Sequence, residues 1–262
     1  MKIIVCIKQV PNTNEVKLNQ ETGTLIRDGV PSIINPDDLA GIEAALRIKD
    51  TRDAHVTVIT MGPPQADVAL REALAMGCDD AYLISDRAFA GADTWATSGT
   101  LAGAINLLGY DLIITGRQAI DGDTAQVGPQ IAEHLGIPVI SYAEEINAED
   151  KTITVKRQYE DRYQIIQAQY PVLITALSEL NQPRYMSVGG IVDAYDTKEV
   201  KSLAYVDLEH LVARENIGLK GSPTRVKKSF TKSPKGKGEL HQVSDDESVE
   251  IIIRKLKEHH IL

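Results

Sequence analysis

The sequence predicts an α/β fold with a largely parallel sheet, and three observations support this prediction. Short runs of β-branched residues alternate with amphipathic segments through the first half of the chain. The connections between them are short, which favours right-handed crossovers and helices on both faces of the sheet. From about residue 139 polar and apolar residues alternate, which is typical of antiparallel strands with one exposed face.

Four runs in the first half predict strands that are buried on both faces, because each run is continuously apolar. They cover residues 2–8, 55–60, 81–85 and 111–115. Residues 16–30 interrupt this pattern with two short strand-like pieces around a polar turn that contains glycine. We interpret them as a small hairpin inserted after the first strand.

Four amphipathic segments predict the helices, since their apolar residues recur at spacings of three and four. They cover residues 38–49, 66–76, 93 or 94 to 108, and about 124–135. Asp93 or Thr94 is placed to cap the third helix, and Asp123 or Thr124 is placed to cap the fourth.

The second half predicts an antiparallel extension of the sheet. Residues 152–159 and 162–169 largely alternate, and 172–175 return to a buried run. We therefore expect an α/β domain over 1–195 and a C-terminal arm over 196–262. The arm contains a basic stretch at 224–238, interpreted as a solvated linker, and a final helix at about 245–259. The apolar stripe of that helix must pack on its own domain or on another chain.

The composition excludes several classes of function. The 262-residue chain has a net charge of −9, which argues against nucleic acid as a partner. It has no apolar run near the roughly 20 residues that span a bilayer, and no signal-peptide pattern, so we expect a cytoplasmic protein without membrane insertion. Cys6 and Cys78 are too few for a disulfide framework, and the histidines are scattered, so we expect no metal site. The sequence contains no nucleophile motif such as GxSxG, so we predict no catalytic residues.

The unusual residues of the sequence follow the predicted strands, where open parallel sheets bind ligands. The longest such segment, 116–130, leaves a buried strand and enters a helix through Gly122, Asp123 and Thr124. Free N–H groups at a helix start suit a pyrophosphate, although simple capping explains the same residues. The segment is not a GxGxxG fingerprint and the chain has no Walker A lysine, so an ordinary dinucleotide dehydrogenase is disfavoured.

Other strand ends carry further candidates, each with a structural alternative. Residues 91–98 place three hydroxyls and a carboxylate at one helix start, which suits either capping or a bound nucleotide. Residues 35–38 can cap the first helix or read an adenine edge. Cys6 and residues 61–63 would line an adenine slot through backbone groups.

Several blocks in order resemble the beta (small) subunit of electron transfer flavoproteins across nearly the whole chain. The blocks are VCIKQVPNT at 5–13, NPDDLAGIEAALRIKD at 35–50, MGPPQADVALREALAMGCDDAYLI at 61–84, DLIITGRQAIDGDTAQVGPQIAEHLGIP at 111–138 and LNQPRYMSVGGI at 180–191. The resemblance implies a HUP-like (Rossmann-like) domain that pairs with a larger alpha subunit, on which the C-terminal arm and helix pack.

The resemblance also implies a bound nucleotide, which is a structural AMP in the conventional branch and a second FAD facing an NADH pocket in the electron-bifurcating branch. Residues 91–98 and 10–14 resemble the bifurcating, anaerobe-type branch and favour FAD. The implied cofactor-binding residues are Cys6, Lys8, Asn35, Asp38, Met61, Thr94, Thr97, Ser98, Gly116, Arg117, Gln118, Asp121, Gly122, Asp123, Thr124, Ala125, Gln126 and Val127.

The partners follow from the same resemblance. We expect NADH as electron donor, ferredoxin or flavodoxin as one acceptor, and an acyl-CoA dehydrogenase reached through FAD on the alpha subunit as the other. Residues 183–195 resemble the family's recognition loop, with Val188 as the anchor for the dehydrogenase and Gly189-Gly190 leaving its geometry open. The alternatives are a conventional carrier that binds AMP, a nucleotide-sensing module of the universal-stress type and a purely structural scaffold.

Overall fold

The structure is a computed structural model that describes residues 1–12, 31–225 and 238–262, and the backbone pairing of 17–18 and 25–26. The chain forms two compact units, 1–225 and 226–262. The strands are β1 (Lys2–Cys6), β2 (Gln9–Pro11), β3 (Lys17–Leu18), β4 (Leu25–Ile26), β5 (Ser32–Ile34), β6 (His55–Met61), β7 (Asp80–Ile84), β8 (Leu112–Gly116), β9 (Val139–Ala148), β10 (Thr152–Gln158), β11 (Tyr163–Gln169), β12 (Val172–Ala176) and β13 (Val200–Leu203). The helices are α1 (Pro36–Thr51), α2 (Asp67–Met76), α3 (Thr94–Leu108), α4 (Val127–Leu135), α5 (Val188–Asp196), α6 (Tyr205–Leu208), α7 (Gly218–Gly221) and α8 (Asp245–Glu258).

The main sheet confirms the predicted α/β fold. Its nine strands lie in the order β11-β10-β9-β12-β8-β1-β6-β7-β13. All neighbours from β9 to β13 along this order pair in parallel. At the other end of this sheet β10 pairs antiparallel with both β9 and β11, and these strands form the predicted extension.

Helices cover both faces of the parallel strands, which explains their continuous apolarity. In β1, Ile3 and Val5 belong to the hydrophobic cluster that includes α1 and α2, whereas Ile4 and Cys6 belong to the one that includes α3 and α4. All four side chains are buried. Burial of one such aliphatic side chain contributes about 1.5–3 kcal/mol, so these two layers carry much of the stability of the sheet.

The start of α4 corrects the sequence prediction. The helix begins at Val127 rather than at about 124, and its N-cap position is Gln126, whose side chain makes no capping hydrogen bond. Asp123 and Ala125 adopt left-handed φ values of 49° and 52°. Because a helix cannot continue through left-handed residues, the predicted caps Asp123 and Thr124 lie in the preceding loop.

The first unit extends beyond the boundary that the sequence suggested at residue 195. β13 adds to the edge of the sheet beside β7, and residues up to Arg225 belong to the same unit. The sequence did not predict this strand, because only Leu203 among its four residues is buried. The paired strands β3 and β4 lie within the predicted hairpin at 16–30. The other residues of that hairpin lie outside the described ranges.

The second unit contains the predicted C-terminal helix. Helix α8 follows Ser244, whose backbone N–H and hydroxyl both donate to Glu247 Oε2, at 3.1 and 2.9 Å. Its stripe of Val249, Ile252 and Ile253 is exposed. Within the ranges that the structure describes, no helix has both the length and the apolarity needed to cross a membrane.

Candidate nucleotide-binding site

A cavity of about 880 Å³ lies beyond the carboxyl ends of β1, β6, β7 and β8. The chain runs outward from β1 through β6 and β7 on one side, whereas β8 lies on the other side. Strand order therefore reverses at β1, and ligands of open α/β sheets bind at such a reversal. The sequence reasoning placed the site at these strand ends, and the structure encloses a cavity there.

Loop 116–128 forms one wall of this cavity and presents free backbone donors. None of the N–H groups of residues 124–128 donates a hydrogen bond within the described part of the chain. The left-handed residues Asp123 and Ala125 turn the backbone immediately before α4. Clustered N–H groups at a helix start, together with the positive end of its dipole, attract anions. This wall is therefore suited to phosphate groups.

Asn35 holds loop 116–128 in this shape. Its side-chain Nδ2 donates to the carbonyl of Gln118 at 2.8 Å, and its Oδ1 accepts from the N–H of Ile120 at 3.1 Å. Asn35 is fully buried and does not line the cavity. The sequence offered a helix cap or an adenine contact for Asn35, and its side chain makes no capping bond. In this structure Asn35 supports the loop.

Asp38 ties the ends of β1 and β8 together at the floor of the cavity. Its carboxylate accepts from the N–H of Lys8 at 2.8 Å and from the N–H of Gly116 at 2.9 Å. Burial raises the pKa of Asp38 to about 7, against the lowering effect of these hydrogen bonds. A Cβ at Gly116 would lie 2.1 Å from Asp38 Oδ1, so only glycine fits there.

Charged side chains stand at the rim of the cavity. Arg117 Nε lies 3.3 Å from Asp37 Oδ2, and neither atom has a hydrogen-bond partner among the described residues. Lys8 Nζ contacts both carboxylate oxygens of Asp121 at 2.7 and 2.8 Å. Burial raises the pKa of Asp37, partly offset by Arg117. Two cations, Lys8 and Arg117, therefore line a cavity that already presents N–H donors.

The four candidates of residues 91–98 at the start of α3 fall into three groups. Asp93 caps the helix by accepting from the N–H of Ala96 at 3.1 Å. Thr94 and Thr97 line the cavity, and Thr94 Oγ1 donates to Gln126 Oε1 at 2.9 Å. Ser98 is buried below them, where its hydroxyl donates to the Trp95 carbonyl at 2.9 Å, and it does not line the cavity.

Most of the predicted site residues meet in this one cavity. Those lining it are Cys6, Lys8, Asp38, Met61, Thr94, Thr97, Gly116, Arg117, Gln118, Gly122, Thr124, Ala125, Gln126 and Val127. Asn35, Asp121 and Asp123 contact the lining residues Gln118 and Lys8 instead. Ser98 lies outside this set, because its hydroxyl bonds to Trp95 and Gln130, which do not line the cavity. Burial raises the pKa of the Cys6 thiol, which stays neutral.

The segment that follows β7 adds lining residues that were not singled out from the sequence. Arg87 and Phe89 belong to a 3-10 turn at residues 87–89 and line the cavity. Asp86 shapes this turn by accepting from the N–H of Ala88 at 2.8 Å. The signal that could have found them is position alone, because the turn follows the carboxyl end of a buried parallel strand.

A parallel sheet whose strand ends enclose a large cavity beside free N–H groups defines an α/β protein of the nucleotide-binding class. The described residues contain no group of three or more His, Cys, Asp or Glu side chains that could hold a metal ion. Residues 22–208 match the family described as the electron transfer flavoprotein domain. The chain belongs to the electron transfer flavoprotein family.

Relatives that match along the full length agree with this family. The chain is 56% identical over 262 residues, 100% of both chains, to the electron transfer flavoprotein subunit beta of Clostridium acetobutylicum. It is 55% identical over 265 residues, 100% of both, to the caffeyl-CoA reductase-Etf complex subunit CarD of Acetobacterium woodii. It is 48% identical over 269 residues, 100% of both, to the acryloyl-CoA reductase electron transfer subunit gamma of Anaerotignum propionicum. The predicted resemblance is confirmed, and the stress-sensor and scaffold alternatives fall away.

Proposed function

We propose that this chain binds FAD in the cavity and acts, with a larger alpha subunit, as an electron-bifurcating carrier in the cytoplasm. In this proposal NADH delivers two electrons. One electron passes to ferredoxin or flavodoxin, and the other passes through FAD on the alpha subunit to an acyl-CoA dehydrogenase. The flavin supplies the redox chemistry, and the chain supplies binding, orientation and electrostatics. The observation that carries the proposal is the cavity with its free N–H donors at 124–128.

The size and lining of the cavity favour FAD over AMP. Its volume of about 880 Å³ lies near the top of the range of about 300–1,000 Å³ that is usual for ligand sites. Phe89, Leu101 and Ile84 give part of it an apolar lining, which suits a ring system. The runner-up is a conventional carrier that binds a structural AMP here and accepts electrons from acyl-CoA dehydrogenases.

The flavin content of the purified heterodimer tests this choice. We expect two flavins per pair of subunits, measured by absorbance after release and by chromatography of the extracted nucleotides. One flavin together with AMP would overturn the FAD assignment and leave the conventional carrier in place. Reduction of ferredoxin by NADH should also require a simultaneous acyl-CoA acceptor, and reduction without that acceptor would contradict bifurcation.

A pair of matched variants tests the position of the site. Gln126→Glu places a carboxylate among the N–H groups that face the proposed diphosphate, whereas Gln130→Glu makes the same change four residues later, outside the cavity lining. Like charges repel, so we expect Gln126→Glu to release nucleotide from the purified heterodimer and Gln130→Glu to retain it. Equal retention in both variants would remove loop 116–128 from the site.

We also propose that residues 183–196, here called the docking segment, bind the partner dehydrogenase through Val188. Val188 is 81% exposed at the start of α5. Further exposed apolar residues surround it in the sequence, namely Tyr185, Met186, Ile191, Val192 and Tyr195. Grouped apolar exposure of this kind marks interaction sites. The names of the Acetobacterium and Anaerotignum relatives tie those proteins to CoA-ester reductases, which supports an acyl-CoA dehydrogenase as the partner.

The docking role predicts a selective kinetic defect. Val188→Asp should raise the KM for the dehydrogenase and leave the bound nucleotide unchanged, because a carboxylate disrupts an apolar interface. Val206→Asp is the control, since Val206 in α6 is 66% exposed and lies outside the docking segment. An unchanged KM in Val188→Asp would exclude this valine as the anchor.

The partner of the exposed stripe on α8 is proposed to be the alpha subunit. Val249, Ile252 and Ile253 form an apolar face that a stable helix must cover. Deletion of residues 238–262 should therefore weaken co-purification of the two subunits. Full retention of the alpha subunit by the shortened chain would assign the stripe to another contact.

A further inference from the structure

The chain from Ser178 into the start of the docking segment, at Arg184, lies along α1 in a constant register. The N–H of Ser178 donates to Asp37 Oδ1 at 3.0 Å, and Asn181 Nδ2 donates to the carbonyl of Ala40 at 3.0 Å. Three residues further on, Arg184 Nε donates to Glu43 Oε2 at 2.8 Å. Each pair is separated by 141 positions in the sequence. The helix residues recur at intervals of three, so they share one face of α1.

Arg184 makes the last and strongest of these contacts. Besides the bond to Glu43, its Nη2 donates to Asp50 Oδ2 at 2.7 Å, and its backbone N–H donates to Glu43 Oε2 at 3.1 Å. Glu43 is only 4% exposed and is shared with Arg47. Burial raises the pKa of Glu43, but the hydrogen bonds from the two arginines outweigh it and lower the pKa overall. Glu43 is therefore a buried anion that fixes Arg184 in place.

The residues after Arg184 are held by their backbone and expose their side chains. Ser187 caps α5 by accepting from the N–H of Gly190 at 2.9 Å. A Cβ at Gly190 would lie 2.3 Å from the carbonyl oxygen of Ala75, so α5 approaches α2 closely at this glycine. At the same time Tyr185 is 96% exposed. The apolar side chains of the docking segment are thus presented from a fixed base.

We propose that Arg184 is a positioning residue for partner docking, which it fixes through its ion pairs with Glu43 and Asp50. This inference rests on the docking role proposed above. Helix α1 places Asp38 at the cofactor cavity and Asp50 at the base of the docking segment, and twelve residues of helix span about 18 Å. The contacts with α1 therefore set the docking surface at a fixed place relative to the cavity. A surface ordered before binding loses less conformational entropy when the partner docks.

Arg184→Met and Glu43→Gln test this role in the purified heterodimer with an acyl-CoA dehydrogenase. We expect Arg184→Met to raise the KM for the dehydrogenase about ten-fold, because the docking segment loses its preorganisation, with kcat and flavin content retained. Glu43→Gln should raise the KM by a smaller factor, and Arg184→Lys should restore part of the affinity. Reduction of a small dye, which needs no docking, should stay at the wild-type rate in each case.

Arg52→Met is the matched control. Arg52 is as exposed as Arg184, with 31% and 32% of the side chain accessible, and it makes one ion pair to Asp150. Its loss should leave the KM unchanged. A KM that rises in Arg184→Met but not in Glu43→Gln would mean that Arg184 touches the partner directly, and would overturn the positioning role. The positioning role is also overturned if neither Arg184→Met nor Glu43→Gln changes the KM.

The Val188→Asp variant of the docking proposal distinguishes failure of the positioning role from failure of docking. If Val188→Asp raises the KM and the Arg184 and Glu43 variants do not, the positioning role fails and docking at this segment stands. If Val188→Asp also has no effect, docking at this segment fails with it. Should Arg184→Met not fold, Glu43→Gln decides alone, because it keeps the side-chain shape and removes only the charge.

Discussion

Loop 116–128 exposes backbone groups to its surroundings, whereas the docking segment exposes side chains. The loop offers backbone N–H groups at 124–128, whereas supporting side chains such as Asn35 are buried behind it. The docking segment has its backbone tied to α1 and α2 and exposes apolar side chains such as Val188. Backbone donors suit a phosphate that every bound nucleotide shares, and side chains suit a partner that must be told apart from others. The two surfaces therefore fail in different ways when they are altered.

The largest effect is expected at the buried junction behind the loop. Gly116→Ala places a Cβ 2.1 Å from Asp38 Oδ1 and 2.9 Å from Asp37 Cβ. Overpacking of this kind should lower the free energy of unfolding by about 3 kcal/mol and release the nucleotide. Gly122→Ala is the control in the same loop, because no atom of the described ranges lies within 4 Å of its added Cβ. Urea denaturation of both proteins measures the difference, and equal stability would refute this packing argument.

Asp38 should make the stability of the chain depend on pH. Its pKa is raised from the ordinary 3.8 to about 7, mainly by burial, so the folded state holds this proton more tightly than the unfolded state. Protonated Asp38 therefore adds its full share to the free energy of unfolding below pH 4, and this share is lost as the pH rises towards 7. In Asp38→Asn this slope should disappear, with a loss of about 2 kcal/mol from the weakened hydrogen bonds. Denaturation across this pH range checks the slope, and an unchanged slope would assign it to other groups.

Substitutions of Gly189 and Gly190 in the docking segment should have smaller effects on stability, and the two effects should have opposite signs. Gly190→Ala meets the carbonyl of Ala75 at 2.3 Å and should cost about 1–2 kcal/mol. Gly189→Ala meets no atom within 4 Å in the part of the chain that the structure describes, and it should stabilise the helix by about 0.5 kcal/mol. Thermal denaturation distinguishes the two. If both substitutions stabilise the chain, α5 does not pack on α2 as closely as described.

The smallest effect is expected at the ion pair on the cavity rim. Lys8 and Asp121 are partly exposed, so Lys8→Met should change the free energy of unfolding by less than about 1 kcal/mol. It should nevertheless weaken nucleotide retention at low salt, because Lys8 lines the cavity with a positive charge. Retention that is the same at low and high salt would show that this charge does not act on the ligand.

The sequence predicted the parallel core well, because burial on both faces leaves a continuous apolar run in each strand, as in β1 and β8. It also predicted the edge of the sheet at which the cavity lies, because the apolar runs identify the strands whose carboxyl ends form that edge. It placed the start of α4 too early, because Asp123 and Thr124 are good caps locally, whereas the left-handed φ values of Asp123 and Ala125 keep these residues out of the helix. It missed β13, which lies at an exposed edge and carries almost no apolar pattern.

Gly189 and Gly190 show a second reason why the sequence could not predict part of the structure. From the sequence, Gly189 and Gly190 suggested only that the geometry of the Val188 anchor was open. The structure gives Gly190 a specific neighbour, the carbonyl of Ala75 on α2, and gives Gly189 none. A contact between residues so far apart in the chain leaves no local signal in either segment.

The carboxylate of Asp93 has a practical consequence for anyone who shortens this chain. One oxygen caps α3 at Ala96, and the other accepts from the N–H and the hydroxyl of Thr224 at 2.9 and 2.7 Å. A truncation after Arg225 keeps this double clamp, whereas one before Ser222 also removes the hydroxyl that binds the N–H of Asp93 at 2.8 Å. Fusion tags and cleavage sites should therefore be placed beyond Arg225, since an earlier cut loosens the helix that borders the cavity.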